Sequence, residues 1–431
     1  MSAAGLRRDL GTVESYAALI GILIGAGIFK VTAEAWSLTG ASVILGYLVL
    51  APAVLATSVA YSVFISTPLG REPGGEYTHI SRTFGGSRLA FIGVWLKIIA
   101  YIGALAYLAG AFADYLGGGM PVAVASLLAF YLIHVAGVRW FGRVQVWMCL
   151  ILGLSLLVLI VPGLFAVHAA NFRPMFAHGL TGFAASIPPL FFAYAGFESL
   201  AQTAGEVRDS TRRLPRIFLL GIGATMAVYF LMSFVAIGVL PGASFTAVAS
   251  RYLPRGAETI ITIGALMAIA TSMNATMIVP SRVAIMLAED RLAPRWIAKI
   301  SPRSGTPVIG LTITAAAALV LLLSGAAGLA LNIAVFALVV LYFLHSYALL
   351  VLPLKNRELF ASITVAIPRW LQRASAIISM LAMGAIIALE LTSIATIELA
   401  AAWTAVGVLI YAVANRGASG GIENAEKAKL V

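Results

Sequence analysis

One cysteine, Cys149, in 431 residues excludes an intrachain disulfide and any cysteine-rich metal site. Charge is scarce as well: Asp, Glu, Lys and Arg together make up 10% of the chain, so each one inside an apolar run needs a reason. No HExxH or GxSxG pattern occurs, no aspartate lies mid-span, and the five histidines are spread along the sequence. A membrane-embedded hydrolase would need a nucleophile–base pair or a metal cluster, and none is visible. A glycine-rich nucleotide loop is missing, which removes ATP-driven pumping by this chain alone. Repeated pore rings are missing too, which counts against a channel.

What is present is apolar sequence. Hydrophobic residues make up 61% of the chain, and runs of about 20 of them, enough to cross a hydrocarbon core, recur from end to end. About twelve spans are predicted, near 12–37, 41–67, 88–115, 120–138, 144–168, 180–204, 214–240, 256–287, 306–324, 327–353, 373–394 and 397–415. No ten-residue alternation suggests a barrel, so the expected class is an all-α polytopic membrane protein.

The net charge of +11 follows topology. With the N-terminus inside, one side receives Arg7, Arg8, Arg71, Arg82, Arg139, Arg143, Arg208, Arg212, Arg213, Arg216 and most of the remaining cations. The opposite loops hold only Arg173, Arg251 and Arg255. Positive charge marks the cytoplasmic side. Both termini are therefore expected in the cytoplasm, the chain in the cytoplasmic membrane, and no nucleic-acid partner is implied. The first apolar stretch carries no small-residue cleavage motif and is expected to be retained. The Gly-rich, charged tail 416–431 is expected to be disordered.

Two spans are interrupted. In the first, "GILIGAGIF" (residues 21–29) places Gly21, Gly25 and Gly27 within seven positions, each worse than alanine in a helix by about 1 kcal/mol. In the sixth, "SIPPLFFAYAGFESLAQTAGEV" carries Pro188, Pro189 and Gly196. Spans 1 and 6 are equivalent if the first ten spans are two repeats of five. Paired Gly/Pro-broken spans mark a transporter site near the bilayer midplane. Unwinding frees N–H groups at one stump and C=O groups at the other, and lipid tolerates that only where the break lines a cavity. Close helix packing through Gly21 and Gly25 is the competing reading.

Further stretches carry a resemblance. "GILIGAGIF", "AYSVFISTPLGREPGGEYTHISRTFG", "GVRWFGRVQ", "FFAYAGFESLAQTAGEVRDSTRRLPRIF" and "MNATMIVPSRVAIMLAEDRLAPRWIAKISPRSGTPVIGL" resemble, in order, motifs of the amino acid–polyamine–organocation superfamily, over most of residues 12–353. The resemblance implies a five-plus-five inverted repeat of leucine-transporter type with broken helices 1 and 6, and alternating access. Residues 1–170 would form the tail and first repeat and 171–355 the second. Residues 356–415 would form an amphipathic linker and spans 11 and 12. It also implies an amino acid or amine substrate. Backbone around Gly25, Ala26 and Gly27 would hold its carboxylate, carbonyls of Leu23, Phe192 and Ala195 beside Gly196 its ammonium, and Lys97 and Tyr101 would line the side-chain pocket. No organic cofactor is implied; H+ or Na+ would be the coupling ion, exchange is the alternative, and a homo-oligomer stays open. Proton-coupled relatives commonly carry a lysine in span 5, and here that position is Leu152, so coupling through that lysine does not carry over.

A charge at mid-membrane costs at least about 2.5–3.5 kcal/mol on insertion scales. Lys30 and Glu34, four apart on one face, read either as a self-paired couple or as a gate contact. Lys97, one turn from Tyr101, reads as a snorkelling residue, a pocket residue that selects anionic side chains, or a coupling group. Glu198, next but one to Gly196, reads as a proton-linked or gating group, or as a cap for freed amides. Glu390 is expected at the interface, and His134 and His345 as structural residues. Thr271 and Ser272 face the first break in this fold; they read as hydroxyls bonded to their own helix, or with carbonyls of helix 1 as a sodium site.

Overall fold

Each predicted apolar segment becomes helix, and both interrupted segments break where the glycines stand. A computed structural model describes residues 5–391 and 394–427. The first span is split into α1 (Thr12–Leu23) and α2 (Ala26–Thr39), followed by α3 (Val43–Ile65). After a short α4 (Glu76–Phe84) come α5 (Arg88–Leu116), α6 (Gly119–Ala136) and α7 (Val138–Gly163). The sixth span is split into α8 (Gly179–Tyr194) and α9 (Ser199–Gln202). Then follow α10 (Ser210–Val239), α11 (Phe245–Ala249), α12 (Glu258–Glu289), α13 (Val308–Leu323) and α14 (Ala327–Lys355). The chain ends with α15 (Arg357–Ala361), α16 (Arg369–Glu390) and α17 (Ile394–Lys427).

Ten stretches among the described residues are long and apolar enough to cross a membrane. The first, Thr12–Ile65, takes in two of the predicted spans, and α13, with 16 residues, falls just short of the usual length. This is a polytopic all-α membrane protein. α17 continues to Lys427, into the segment expected to be a tail; residues 428–431 lie outside the described residues.

Local chemistry sets the ends. Gly11 precedes α1, and its N–H donates to Glu14 Oε2 at 2.9 Å while the Ser15 hydroxyl returns to the Gly11 carbonyl at 2.7 Å, satisfying groups a helix start leaves unpaired. Ile24 and Gly25 leave the helical conformation, with Gly25 extended at φ −108°, and α2 starts afresh at Ala26. The second break is sharper, because Gly196 sits at φ +104°, where a side chain would be strained.

α5 forms the axis: α14, α12, α6 and α13 pack around it, while α10 lies along α3, and α2 along α8. α16 packs on α3 and α14, and Trp403 of α17 stacks on Trp95 of α5 with ring centroids 4.8 Å apart. At the face holding the N-terminus, Leu10 bridges Val207: the Leu10 N–H donates to the Glu206 carbonyl at 3.1 Å and the Arg208 N–H to the Leu10 carbonyl at 2.9 Å.

One element departs from the hydropathy reading. The stretch after span 2 looks like a polar loop, yet α4 turns back into the protein, with Glu76 and Tyr77 fully buried and His79 nearly so. Gly74 and Gly75, at φ +91° and +47°, make that turn.

Candidate functional site

The two breaks face each other across a cavity of about 70 Å³. Leu23, Gly25 and Gly27 line it from the first break, and Phe192, Ala195 and Gly196 from the second. Tyr101 and Tyr107 contribute from α5, Ser272 and Thr276 from α12, and no charged side chain is among the lining residues. One water needs roughly 10–15 Å³ by this kind of measure, so the space suits a solute of few heavy atoms.

Helix ends converge on this space. α2 points its N-terminus at it, where the first N–H groups have no intrahelical partner and the dipole is positive. α8 brings its C-terminal end, with carbonyls and the opposite dipole. The glycines serve close approach too. A Cβ on Gly25 would run into the Ser272 hydroxyl, one on Gly27 would lie 3.0 Å from Ala193 Cα, and one on Gly21 would meet Gln145, Cys149 and Thr271. The same small residues thus open the break and let α8 and α12 close on it.

Tyr229 of α10 ties the two breaks together. Its hydroxyl lies against the Leu23 carbonyl and 2.6 Å from that of Ala193. The Leu23 carbonyl, expected to take an ammonium, therefore also faces the Tyr229 hydroxyl.

Lys97 does not line the cavity. Its ammonium is buried between two carboxylates, 3.0 Å from Glu76 Oε2 and 3.6 Å from Glu198 Oε1, with all three side chains at most 1% exposed. It neither snorkels nor stands in the wall of this cavity, where a side-chain pocket role was expected of it: its ammonium is taken up by two acids. Glu198 accepts from Tyr101 Oη at 2.7 Å and from the Tyr342 hydroxyl. Glu76 accepts from the Tyr61 hydroxyl and from Gln202 Nε2. Glu198 makes no side-chain cap on α9, so its oxygens go to the charge network. Tyr101 belongs to both sites, its ring lining the cavity and its hydroxyl on Glu198. His79 and His345 touch through their ring nitrogens at 2.9 Å, and the His345 ring lies 4.2 Å from that of Tyr61.

The other candidates divide. Ser272 Oγ points at the carbonyls of Gly21 and Ile22, at 3.4 and 3.3 Å, whereas Thr271 Oγ1 bonds its own helix at Ala268, 2.9 Å away. Between α1 and α12 stands Gln145, whose Nε2 donates to the carbonyls of Ala17 and Thr271, both at 3.2 Å. Asn274 Nδ2 in turn donates to Gln145 Oε1 at 2.7 Å. Leu152 is buried nearby in the core. Lys30 and Glu34 pair at 3.6 Å on a half-exposed surface, and the Lys30 ammonium donates to Tyr107 Oη at 3.0 Å, joining α2 to the cavity wall. His134 meets the Asn274 carbonyl at 2.8 Å, a structural contact.

The sequence reading passed over Glu76, Tyr229 and Tyr342. Glu76 follows a Gly–Gly pair in a segment read as loop, and the tyrosines look like ordinary span aromatics. The one available signal was Lys97 itself, since a buried cation demands buried acid.

The family model for amino acid permeases matches residues 10–414. The chain belongs to that family. An uncharacterized transporter of Mycobacterium tuberculosis is 31% identical over 335 residues, covering 73% of this chain and 74% of its own length. A branched-chain amino acid permease of Bacillus subtilis is 27% identical, covering 70% of this chain and 72% of its own length. A serine/threonine exchanger of the same bacterium is 24% identical, covering 81% and 84%. This permease is thus an amino acid transporter of the amino acid–polyamine–organocation superfamily, as the motifs indicated, and its relatives are transporters, not enzymes.

Proposed function

We propose that the permease carries a small neutral amino acid across the cytoplasmic membrane by alternating access, in symport with a proton. The observation that carries the substrate class is the cavity. Two helix ends of opposite polarity converge there between walls without a charged side chain. The substrate carboxylate lies at the N-terminus of α2, around Gly25, Ala26 and Gly27. The ammonium lies at the C-terminal carbonyls of α8, around Phe192 and Ala195. Apolar walls and the small volume favour an uncharged, compact side chain, in line with the substrates in the names of the two Bacillus relatives.

For coupling, the network of Glu76, Lys97 and Glu198 holds one more acid than base in a water-poor interior. Lys97 can offset only one of the two carboxylate charges, and on this reading the cluster carries the transported proton. The Tyr101 hydroxyl links that proton to the cavity wall, so substrate and proton bias the same element. Sodium is less well served. The Gln145 amide puts a donor between α1 and α12, whereas a hard cation needs oxygen acceptors, and Thr271 is turned to its own helix. The arginine-rich face that holds the N-terminus is the cytoplasmic one, and the five-plus-five repeat supplies the rocking of one unit on the other.

Uptake into proteoliposomes tests this reading with radiolabelled alanine, serine, leucine, glutamate and lysine, under imposed proton and sodium gradients in turn. Neutral substrates driven by the proton gradient are expected. Glutamate or lysine as best substrate would end the neutral assignment, and uptake that needs an amino acid inside would establish exchange instead.

A further inference from the structure

A second cavity, of about 780 Å³, opens on the arginine-rich face, remote from the breaks. It lies where the turn after α3, the start of α10 and the segment between α15 and α16 meet. Arg71, Arg212 and Arg216 line it together with the hydroxyls of Thr67, Thr211 and Ser362, and no acid is among its lining residues. None of the three arginines has an ion-pair partner among the described residues, whereas the adjacent Arg213 pairs with Asp209 at 3.2 Å. Glu72, next to Arg71, feels Arg82, Glu289 and Asp290 on another side of the turn. Three unneutralised guanidinium groups with hydroxyls between them form a receptor for phosphate oxygens, which arginine holds in bidentate fashion.

Position decides what carries the phosphate. Leu219, Val365 and Ile367 form an apolar side of the same cavity. Leu220, one turn beyond Arg216, is 64% exposed, and Trp370, at the start of α16, is 68% exposed. On a membrane protein such side chains face acyl chains and headgroups, and tryptophan marks the boundary. A cavity between spans with basic groups on its polar side and apolar ones beside them matches an acidic headgroup with its chain running alongside.

We propose that this cavity binds the phosphate of an anionic phospholipid in the cytoplasmic leaflet. The lipid clamps three segments: Thr364 is already tied to the end of α3, its Oγ1 donating to the Ser66 carbonyl at 2.6 Å, and the headgroup adds α10 through Arg212 and Arg216. The cavity lined by Arg82, Glu289, Asp290 and Arg295 on the same face makes the contrast. Arg82 is there held by Asp290 in two bonds of 3.0 Å, and acids stand beside the bases.

Native mass spectrometry of the detergent-purified full chain, mixed with equal amounts of phosphatidylglycerol and phosphatidylcholine, tests the site. The wild-type protein is expected to retain phosphatidylglycerol preferentially. The triple variant Arg71→Gln, Arg212→Gln, Arg216→Gln should lose that preference about ten-fold or more, given the contribution of each cation near a membrane surface. A variant with equal charge loss elsewhere on the same face, Arg291→Gln, Arg295→Gln, Arg303→Gln, should keep it. All the exchanged arginines are exposed, so folding is expected to survive, and the single Arg216→Gln variant should give an intermediate loss. No preference in the wild type, or its survival in the triple variant, would overturn the proposal. Retention of inorganic phosphate in preference to phosphatidylglycerol when both are present at equal concentration would overturn it too, by assigning the site to a free anion.

Discussion

Among the described residues, two buried charge sites within this bundle differ in how their charges balance. Arg282 of α12 meets Glu206 in a two-pronged bond, Nε to Oε2 at 3.0 Å and Nη2 to Oε1 at 2.7 Å, with a further bond from Nη1 to Ser281 Oγ at 2.9 Å. One base faces one acid, both buried, and the account of charge closes. Lys97 faces two acids, and four neutral donors are divided between them, the Tyr61 hydroxyl and the Gln202 amide on Glu76 and the hydroxyls of Tyr101 and Tyr342 on Glu198. The unbalanced cluster reaches the wall of the cavity between the breaks through Tyr101.

The largest expected effect breaks the closed pair. Glu206→Gln alone leaves a buried guanidinium without its counter-ion, a loss of roughly 3–5 kcal/mol, seen as a sharp drop in thermal stability of the purified protein. The paired change Glu206→Leu with Arg282→Met should recover much of it, because two apolar groups of similar volume leave no stranded charge. If the double variant were as unstable as the single one, packing rather than charge would hold this region. Next comes Gly196→Ala. It forces a side chain into the left-handed region, where the cost is about 1–2 kcal/mol, and a Cβ would lie 3.1 Å from Ile22, so uptake should fall several-fold while the fold persists. Tyr101→Phe removes the hydroxyl between cavity and carboxylate. It should leave substrate exchange in place and weaken the response to a pH gradient, by about two- to five-fold if one hydrogen bond near 1 kcal/mol is lost. Lys30→Gln is expected to have the smallest effect, within about 0.5 kcal/mol of wild-type stability, because its pair with Glu34 is half exposed.

How much of this the sequence discloses depends on what each feature writes into it. Spans are legible because lipid imposes about twenty apolar residues on each. The breaks are legible because helix interiors otherwise avoid glycine pairs, and Ile24–Gly25 and Ala195–Glu198 fall where Gly25, Gly27 and Gly196 pointed. α4 is not legible. Nine residues containing Glu76, His79 and Arg82 look solvated by composition, and only the path set by Gly74 and Gly75 takes them inside. The partners of Lys97 were hidden for the same reason, since Glu76 lies 21 positions away in an apparent loop and Glu198 more than a hundred. Tyr229 was hidden otherwise. A hydroxyl bridging two carbonyls from separate spans leaves no spacing to read.

Accumulation under an imposed pH gradient tests the central claim most directly. A difference of one pH unit, about 1.36 kcal/mol, should drive a one-proton symporter to roughly ten-fold accumulation of its neutral substrate. In Glu198→Gln liposomes the level should fall to equilibration, about one-fold, while exchange of internal for external substrate continues. Accumulation by Glu198→Gln equal to that of the wild type would contradict the account, because the proton would then travel without the carboxylate that joins the charge cluster to the cavity.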